Sequence, residues 1–256
     1  MNTSPIVTKS MLIEGFRSLG VTRDDTLLVH SALSSFGYVE GGAETVIEAL
    51  LETVKDGTVL VPTLTGSPED GPEKPPFCDV RQTPCWTGRI PETFRKDPRA
   101  VRSLHPTHSV AAIGVRAESI TAGHEKSVSP CDRTSPYYKL AEADGHILLI
   151  GVGMNNNTTM HCVEEVAEVP YHLHAYQTTS TVLDREGHSL TVTNYLHSWD
   201  PPHADFDTLE PLLVEGDAIR YGKIGNSTLR LISAKKLLEI GVRVLRKDPY
   251  FMITTE

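Results

Sequence analysis

Residues Thr26–Pro62 read TLLVHSALSSFGYVEGGAETVIEALLETVKDGTVLVP, and the order of elements within them sets the fold class. Thr26–His30 (TLLVH) is a short apolar run of the kind that forms a buried strand. A glycine-bearing loop follows, then Ala43–Val54, with Val46, Leu50, Leu51 and Val54 at helical spacing. Asp56-Gly57 is a turn signal, and Thr58–Pro62 (TVLVP) reads as a second buried strand. Strand, loop, helix, turn and strand in this order make a βαβ unit with a parallel sheet.

Upstream, Lys9–Leu19 carries Met11, Leu12, Phe16 and Leu19 at helical spacing, with Gly20 as its stop. Downstream, Gly66–Thr87 is proline-rich and aperiodic, a long loop of the kind kept for binding. Gly88–Arg95 reads as a short helix, Ser109–Ile113 (SVAAI) as a strand and Gly114–Ala122 as a short helix. The most apolar strand, His146–Val152 (HILLIGV), runs into Gly153–Thr159 and a helix from Met160 to about Val169. Thr178–Leu183 and Ser189–Tyr195 flank the turn Arg185-Glu186-Gly187 as a hairpin, and Thr228–Val242 is expected to form a C-terminal helix. The expected fold is one α/β domain over residues 1–256. Its mixed, mainly parallel central sheet is flanked by helices, with the hairpin as an antiparallel addition.

Composition narrows the function classes. Acidic residues outnumber basic ones by 33 to 24, giving a formal charge of −9, which speaks against a nucleic-acid partner and suits a cationic ligand. Solubility alone also accounts for such a charge. No apolar run approaches the ~18 residues of a membrane span and no signal peptide is evident, so the cytoplasm is the default compartment. Cys78, Cys85, Cys131 and Cys162 form no CxxC pair and read as reduced thiols.

Three constellations carry possible chemistry. The first, Val29–Gly37 (VHSALSSFG), lies between a strand and a helix, where small residues let backbone N–H groups approach a phosphate or thioester. It serves equally as an ordinary βα turn. In the second, Arg102–Val110 (RSLHPTHSV), Thr107 could donate to a developing oxyanion or simply satisfy its own loop. In the third, Asn155–Glu165 (NNNTTMHCVEE), His161 and Glu164 stand three apart on one helix face beyond the carboxyl edge of a strand. A carboxylate-held histidine is the expected general base for an amine nucleophile. The alternative is an interior histidine beside a surface glutamate. The eleven histidines show no HExxH spacing, so no metal is expected, and no GxSxG elbow marks a hydrolase.

Taken together, these stretches resemble the antibiotic N-acetyltransferase family, the aminoglycoside 3-N-acetyltransferases. The likeness is collinear. It runs through Leu28–Gly37 (LVHSALSSFG), Thr58–Thr65 (TVLVPTLT), Phe77–Arg95, Arg102–Gly114 (RSLHPTHSVAAIG), Ser135–Leu140 (SPYYKL), Ile147–Glu164 and Gly222–Leu238. The resemblance implies an α/β fold unlike that of the GNAT enzymes, and transfer of acetyl from acetyl-coenzyme A to the 3-amino group of a 2-deoxystreptamine ring. Such an activity confers antibiotic resistance.

The same resemblance assigns roles. His161 is similar to the family base, Glu164 to its partner, and Thr107 to an oxyanion or thioester contact. His30, Ser31, Ala32, Leu33, Ser34, Phe36 and Gly37, with His108, Ser109 and Val110, would line the coenzyme channel. Loop position and proximity to His161 make Asp70, Asp79, Glu165 and Glu168 candidates for gripping a cationic aminoglycoside, although each also reads as a solvated surface charge. The family writes its base helix NTTLHLAE; here Met160, Cys162 and Val163 surround the same His and Glu, and Glu165 is an addition. The partners expected are acetyl-coenzyme A and the acceptor, with no nucleic acid and no membrane, for a monomer or homodimer. Two other readings stay open: acylation of a non-antibiotic amine such as a biosynthetic aminophosphonate nucleotide, and coenzyme A binding without catalysis.

Overall fold

The computed structural model describes residues 6–254. Its elements begin with β1 (Ile6–Val7), α1 (Lys9–Leu19), β2 (Thr26–Ser31), β3 (Tyr38–Val39), α2 (Gly42–Thr53) and β4 (Thr58–Pro62). There follow β5 (Phe77–Asp79), α3 (Arg89–Phe94), β6 (Val101–Arg102), β7 (Val110–Gly114), α4 (Ala117–Thr121), α5 (Pro136–Glu142) and β8 (His146–Ile150). The remainder holds α6 (Thr159–Ala167), β9 (Leu173–Leu183), β10 (Ser189–His197), α7 (Glu210–Glu215), β11 (Ile219–Ile224), β12 (Ser227–Ser233) and α8 (Ala234–Lys247).

The central sheet has seven strands in the order β11-β12-β8-β2-β4-β7-β6. As expected, β2 and β4 pair in parallel, and β8 joins β2 on the other side, also in parallel. The outer pairings, β4 with β7, β7 with β6, β8 with β12 and β12 with β11, are all antiparallel. The sheet is therefore mixed, and parallel pairing is confined to its three central strands rather than prevailing throughout. The central strands are apolar on both faces because helices cover both. Leu27, Val29, Val59, Val61, Leu148 and Ile150 face one core beneath α1, α2 and α3. Leu28, Leu60, Ile147 and Leu149 alternate to the other face, beneath α4–α8.

Local signals explain the helix ends. The Thr8 hydroxyl caps α1 by accepting the Met11 N–H, and Gly20 ends it at φ 104, in the left-handed region open to glycine. At the other end of the chain the expectation fails: Ser227–Ser233 is a strand and the helix spans only Ala234–Lys247. Gly225-Asn226 forms a tight hairpin turn, with Gly225 at φ 56, and Leu229 and Leu231 alternate into the core against β8. Ser233 then caps α8 by accepting the Lys236 N–H at 3.3 Å.

The expected hairpin is present as β9–β10, extended at both outer ends. It forms a separate three-stranded sheet with β5, a short strand inside the segment read as pure loop. Among the described residues no helix is long and apolar enough to cross a membrane.

Candidate active site

The catalytic candidates lie where β8 leaves the sheet. Gly151 turns the chain at φ 65, and a Cβ there would meet the Ser35 Cβ at 2.1 Å, so backbone and side chain can approach this closely only at glycine. The next residues form a one-turn helix, Met154–Asn156, before α6 begins. Asn155 anchors this turn: its Oδ1 accepts the Phe206 N–H at 2.7 Å, while its Nδ2 donates to Asp205 at 3.0 Å. The Phe206 ring lies edge-on to the His161 imidazole, 5.2 Å between centroids. Helix α6 is itself held by α8, where Gly241 abuts Val163 so closely that an added Cβ would stand 2.5 Å from Val163 Cγ1.

Within the first turn of α6, His161 Nδ1 is 2.8 Å from Glu164 Oε2, the contact expected from their spacing. The glutamate side chain is only 2% exposed, the histidine 20%. Burial pushes the Glu164 carboxyl up, but the His161 bond and the nearby His172 outweigh it and hold the group below its ordinary value. An ionised carboxylate can only accept, so His161 Nδ1 carries a proton toward Glu164, and Nε2 is the ring nitrogen turned away from it.

Two further histidines complete the cluster. His172, on the segment after α6, places Nδ1 3.2 Å from the same Glu164 oxygen, and its Nδ1 is 3.1 Å from Nδ1 of His197 at the end of β10. The His161 and His172 rings stack at 4.8 Å, and His197 lies 4.6 Å from His161. Burial lowers the His172 pKa to about 3, keeping that ring neutral. His172 and His197 escape sequence reading because an unpatterned loop and a strand end bring them together, with no local motif. One nitrogen from each of the three rings lies within 4.8 Å of the others, a spacing a metal ion could use, but Glu164 already engages two of the rings.

The His161 ring borders two adjoining cavities. One, of about 160 Å³, is lined by His30, Ser31, Trp86, Thr87, Asn157 and Thr158 among others. His30 Nε2, Ser31 Oγ and Asn157 Nδ2 are buried there without a protein partner. Burial lowers the His30 pKa to about 3, so that ring too is neutral. The second cavity, of about 210 Å³, is walled by Tyr171, His172, His197, His203 and Phe206. A larger cavity of about 560 Å³ lies elsewhere, beside Arg81, Arg102 and Arg185, and contains none of the expected site residues.

The other expected residues fall into groups. Thr107 is buried with its hydroxyl 2.9 Å from His108 Nδ1, and the His108 ring is 6.3 Å from His161. Phe36 and Val110 are wholly interior, and Ser109 is tied to Thr63 and to Arg102 Nε, so these three side chains present no open surface to a ligand. Ala32, Leu33, Ser34 and Gly37 form the short helical turn beyond Ser31 and its flanks. None of the four carboxylates expected to grip a cation lines either cavity beside His161. Asp79 pairs with Arg81 at 3.0 Å, and Asp70 accepts the Ser67 N–H at 2.8 Å. Glu168 is the exposed C-cap of α6. Glu165 is packed behind the helix, 3% exposed, against Ser129 and Cys131.

The family model described as Aminoglycoside 3-N-acetyltransferase matches residues 28–246. Aminoglycoside N(3)-acetyltransferase IV of a Salmonella species is 33% identical over 246 residues, 96% of this chain and 90% of its own. Aminoglycoside N(3)-acetyltransferase VIII of Streptomyces fradiae is 35% identical over 180 residues, a match that spans 63% of that relative's length. The crystal structure of AAC(3)-IVa apoenzyme superposes with a TM-score of 0.84 at 30% identity, covering 100% of this chain and 94% of that one. AAC-IIIb, solved as a binary complex with CoASH, superposes at 0.79 and 26% identity over 98% of this chain and 100% of that one. Over most of its length, then, the chain belongs to the aminoglycoside 3-N-acetyltransferase family, a family of acyltransferases.

Proposed function

We propose that the protein transfers acetyl from acetyl-coenzyme A to the 3-amino group of the 2-deoxystreptamine ring of aminoglycosides, and so confers resistance to them. One observation supports this reading: a carboxylate-held imidazole borders two adjoining cavities. The cavity beside β2 receives the thioester arm of the coenzyme. The orphaned polar atoms of His30, Ser31 and Asn157 suit the amide groups of that arm. The acceptor enters from the side of His172, His197 and Phe206.

Catalysis proceeds in a ternary complex. An ammonium has no lone pair, so His161 Nε2 first takes a proton from the acceptor amine. The freed nitrogen attacks the thioester carbonyl, and the oxyanion is met by Thr107 or neighbouring backbone N–H groups. Collapse forms the amide and expels coenzyme A thiolate, while Glu164 stabilises the imidazolium until its proton leaves. No metal takes part, so dialysis against a chelator leaves turnover unchanged; a loss restored by zinc overturns this part.

A second acceptor class has one observation in its favour. The acceptor cavity offers Glu164 as its carboxylate, and that group already serves two histidines. Fewer fixed anions suit an amine less cationic than an aminoglycoside, such as a biosynthetic aminophosphonate nucleotide. Thiol release from acetyl-coenzyme A across a panel of aminoglycosides, with inhibitory concentrations in a susceptible bacterium expressing the protein, separates the two. Thiol release with no aminoglycoside, and no protection, removes the antibiotic reading.

A further inference from the structure

Three histidines from three parts of the chain meet beside the second cavity: His161 in α6, His172 just ahead of β9, and His197 at the end of β10. One nitrogen from each ring lies within 4.8 Å of the other two. Ring centroids stand 4.6 to 4.8 Å apart in all three pairings. Imidazoles packed this closely repel one another once protonated, whereas a metal ion takes their neutral lone pairs.

The carboxylates nearby engage one nitrogen of a ring and leave the other. Glu164 Oε2 takes His161 Nδ1 at 2.8 Å, which leaves Nε2. Glu165 Oε1 is 3.2 Å from His172 Nε2, which leaves Nδ1 to meet Nδ1 of His197 at 3.1 Å. Two like nitrogens in hydrogen-bond contact share one proton between two lone pairs. The donors around tetrahedral zinc, each ~2.0–2.1 Å from the ion, stand about 3.3 Å apart, so this pair already has the spacing of one edge.

The layer behind the rings has the form that metal-binding histidines use, in which the second ring nitrogen meets a carboxylate. His161 has Glu164 there and His172 has Glu165. Glu165 is held in turn by the Ser129 hydroxyl at 2.6 Å and the Cys131 N–H at 2.9 Å. Glu164 Oε2 also lies 3.2 Å from His172 Nδ1, which brings its charge beside an ion at the cluster. Another group with ligand spacing, Asp184, Glu186 and His188, sits on the largely exposed β9–β10 turn.

We propose that His161, His172 and His197 form a site for Zn2+, and that zinc bound there switches acetyl transfer off. The inhibitory half rests on the reading of His161 as the base. Coordination through Nε2 takes the proton acceptor itself, and coordination through Nδ1 displaces Glu164; either way the base is lost. As zinc binds, the proton between His172 and His197 leaves Nδ1 for an Nε2 or for solvent, and both Nδ1 lone pairs go to the metal. Water from the cavity takes the fourth position. Three imidazoles suit zinc and not magnesium or calcium, so neither of those competes.

Titration of the full chain, without a polyhistidine tag, with Co2+ and then Zn2+ tests the site without reference to catalysis. One Co2+ binds per chain with the intense visible absorption of low-coordinate cobalt, and Zn2+ bleaches it. X-ray absorption at the zinc edge counts three imidazoles in the wild type; fewer overturns the proposal. His172→Gln and His197→Gln each weaken zinc binding by about 100-fold or more, since even a lost outer partner costs about 10- to 100-fold. Unchanged affinity in both variants overturns the proposal and leaves zinc to the Asp184 group or another surface. If neither variant folds, the imidazole count on the wild type still decides. In the kinetic arm, zinc lowers formation of acetylated acceptor, followed by mass because zinc also binds the released thiol, and a chelator restores it. Zinc that binds three imidazoles and leaves acetylation unaltered overturns the switch. Failure of the base reading shows separately, as near-normal turnover in metal-free His161→Ala.

Discussion

Replacing Glu164 by glutamine removes one charge and little volume. In the wild type its oxygen lies 2.8 Å from His161 Nδ1 in a nearly dry setting. When His161 takes the acceptor proton, its new positive charge is centred about 4 Å from the carboxylate, an attraction of about 4 kcal/mol at an effective dielectric constant near 20. Glutamine keeps a dipole able to accept from Nδ1–H, so part of that sum survives. A net loss of about 2–4 kcal/mol at the transition state lowers turnover by about 30- to 1,000-fold, at about 1.4 kcal/mol per tenfold. Because the charge appears only as the proton moves, the loss falls on kcat and leaves the KM for acetyl-coenzyme A nearly unchanged. The assay is steady-state thiol release with saturating acceptor, alongside a melting curve to show that the variant is folded. A folded Glu164→Gln protein with kcat within about threefold of wild type refutes the reasoning, since the electrostatic support would then be absent.

Other outcomes follow from the same geometry. His161→Ala lowers turnover by about 10²-fold or more, the scale of a lost general base, in the same assay. Arg102→Met leaves the Thr83 carbonyl, now bonded at 2.7 Å, without its buried donor, and takes from the Thr63 carbonyl, bonded at 3.0 Å, one of two donors, the Ser109 hydroxyl remaining. It costs about 3 kcal/mol, read by urea denaturation. Acid destabilises the fold through buried imidazoles. Burial lowers His30 and His172 to about 3 and His124 to about 4, so the unfolded chain binds protons that the folded one refuses. Stability is full above pH 6.5, the ordinary value of the unfolded imidazole, and is lost as pH falls toward 4; a melting temperature that rises over that range contradicts it.

Much of this architecture is written in local pattern. The β2–α2–β4 unit is legible because a helical apolar stripe sits between two strands buried on both faces, and each type of run has its own period. The β9–β10 hairpin is legible from its turn. The C-terminal hairpin is harder, since Leu229, Ile232 and Leu237 also fit one face of a helix, and only the Gly225-Asn226 turn argues otherwise. At the site, His161 and Glu164 are readable because i and i+3 must meet on a helix. What tertiary packing alone decides is not: His172 and His197 arrive from other elements, and adjacency to Glu164 gives no sign that Glu165 is buried against Ser129. Distance along the chain also misleads for Asp79, which Arg81 takes as a partner two residues on.

That the imidazole of residue 161 forms the partition between two chambers bears on the order of events. With one proposed substrate in each chamber, neither has to pass the other, and initial-rate patterns are expected to show random entry. The same openness has a drawback. On the proposed reading, water can stand where the amine belongs when only the thioester is bound, and a slow thiol release without acceptor is the expected outcome.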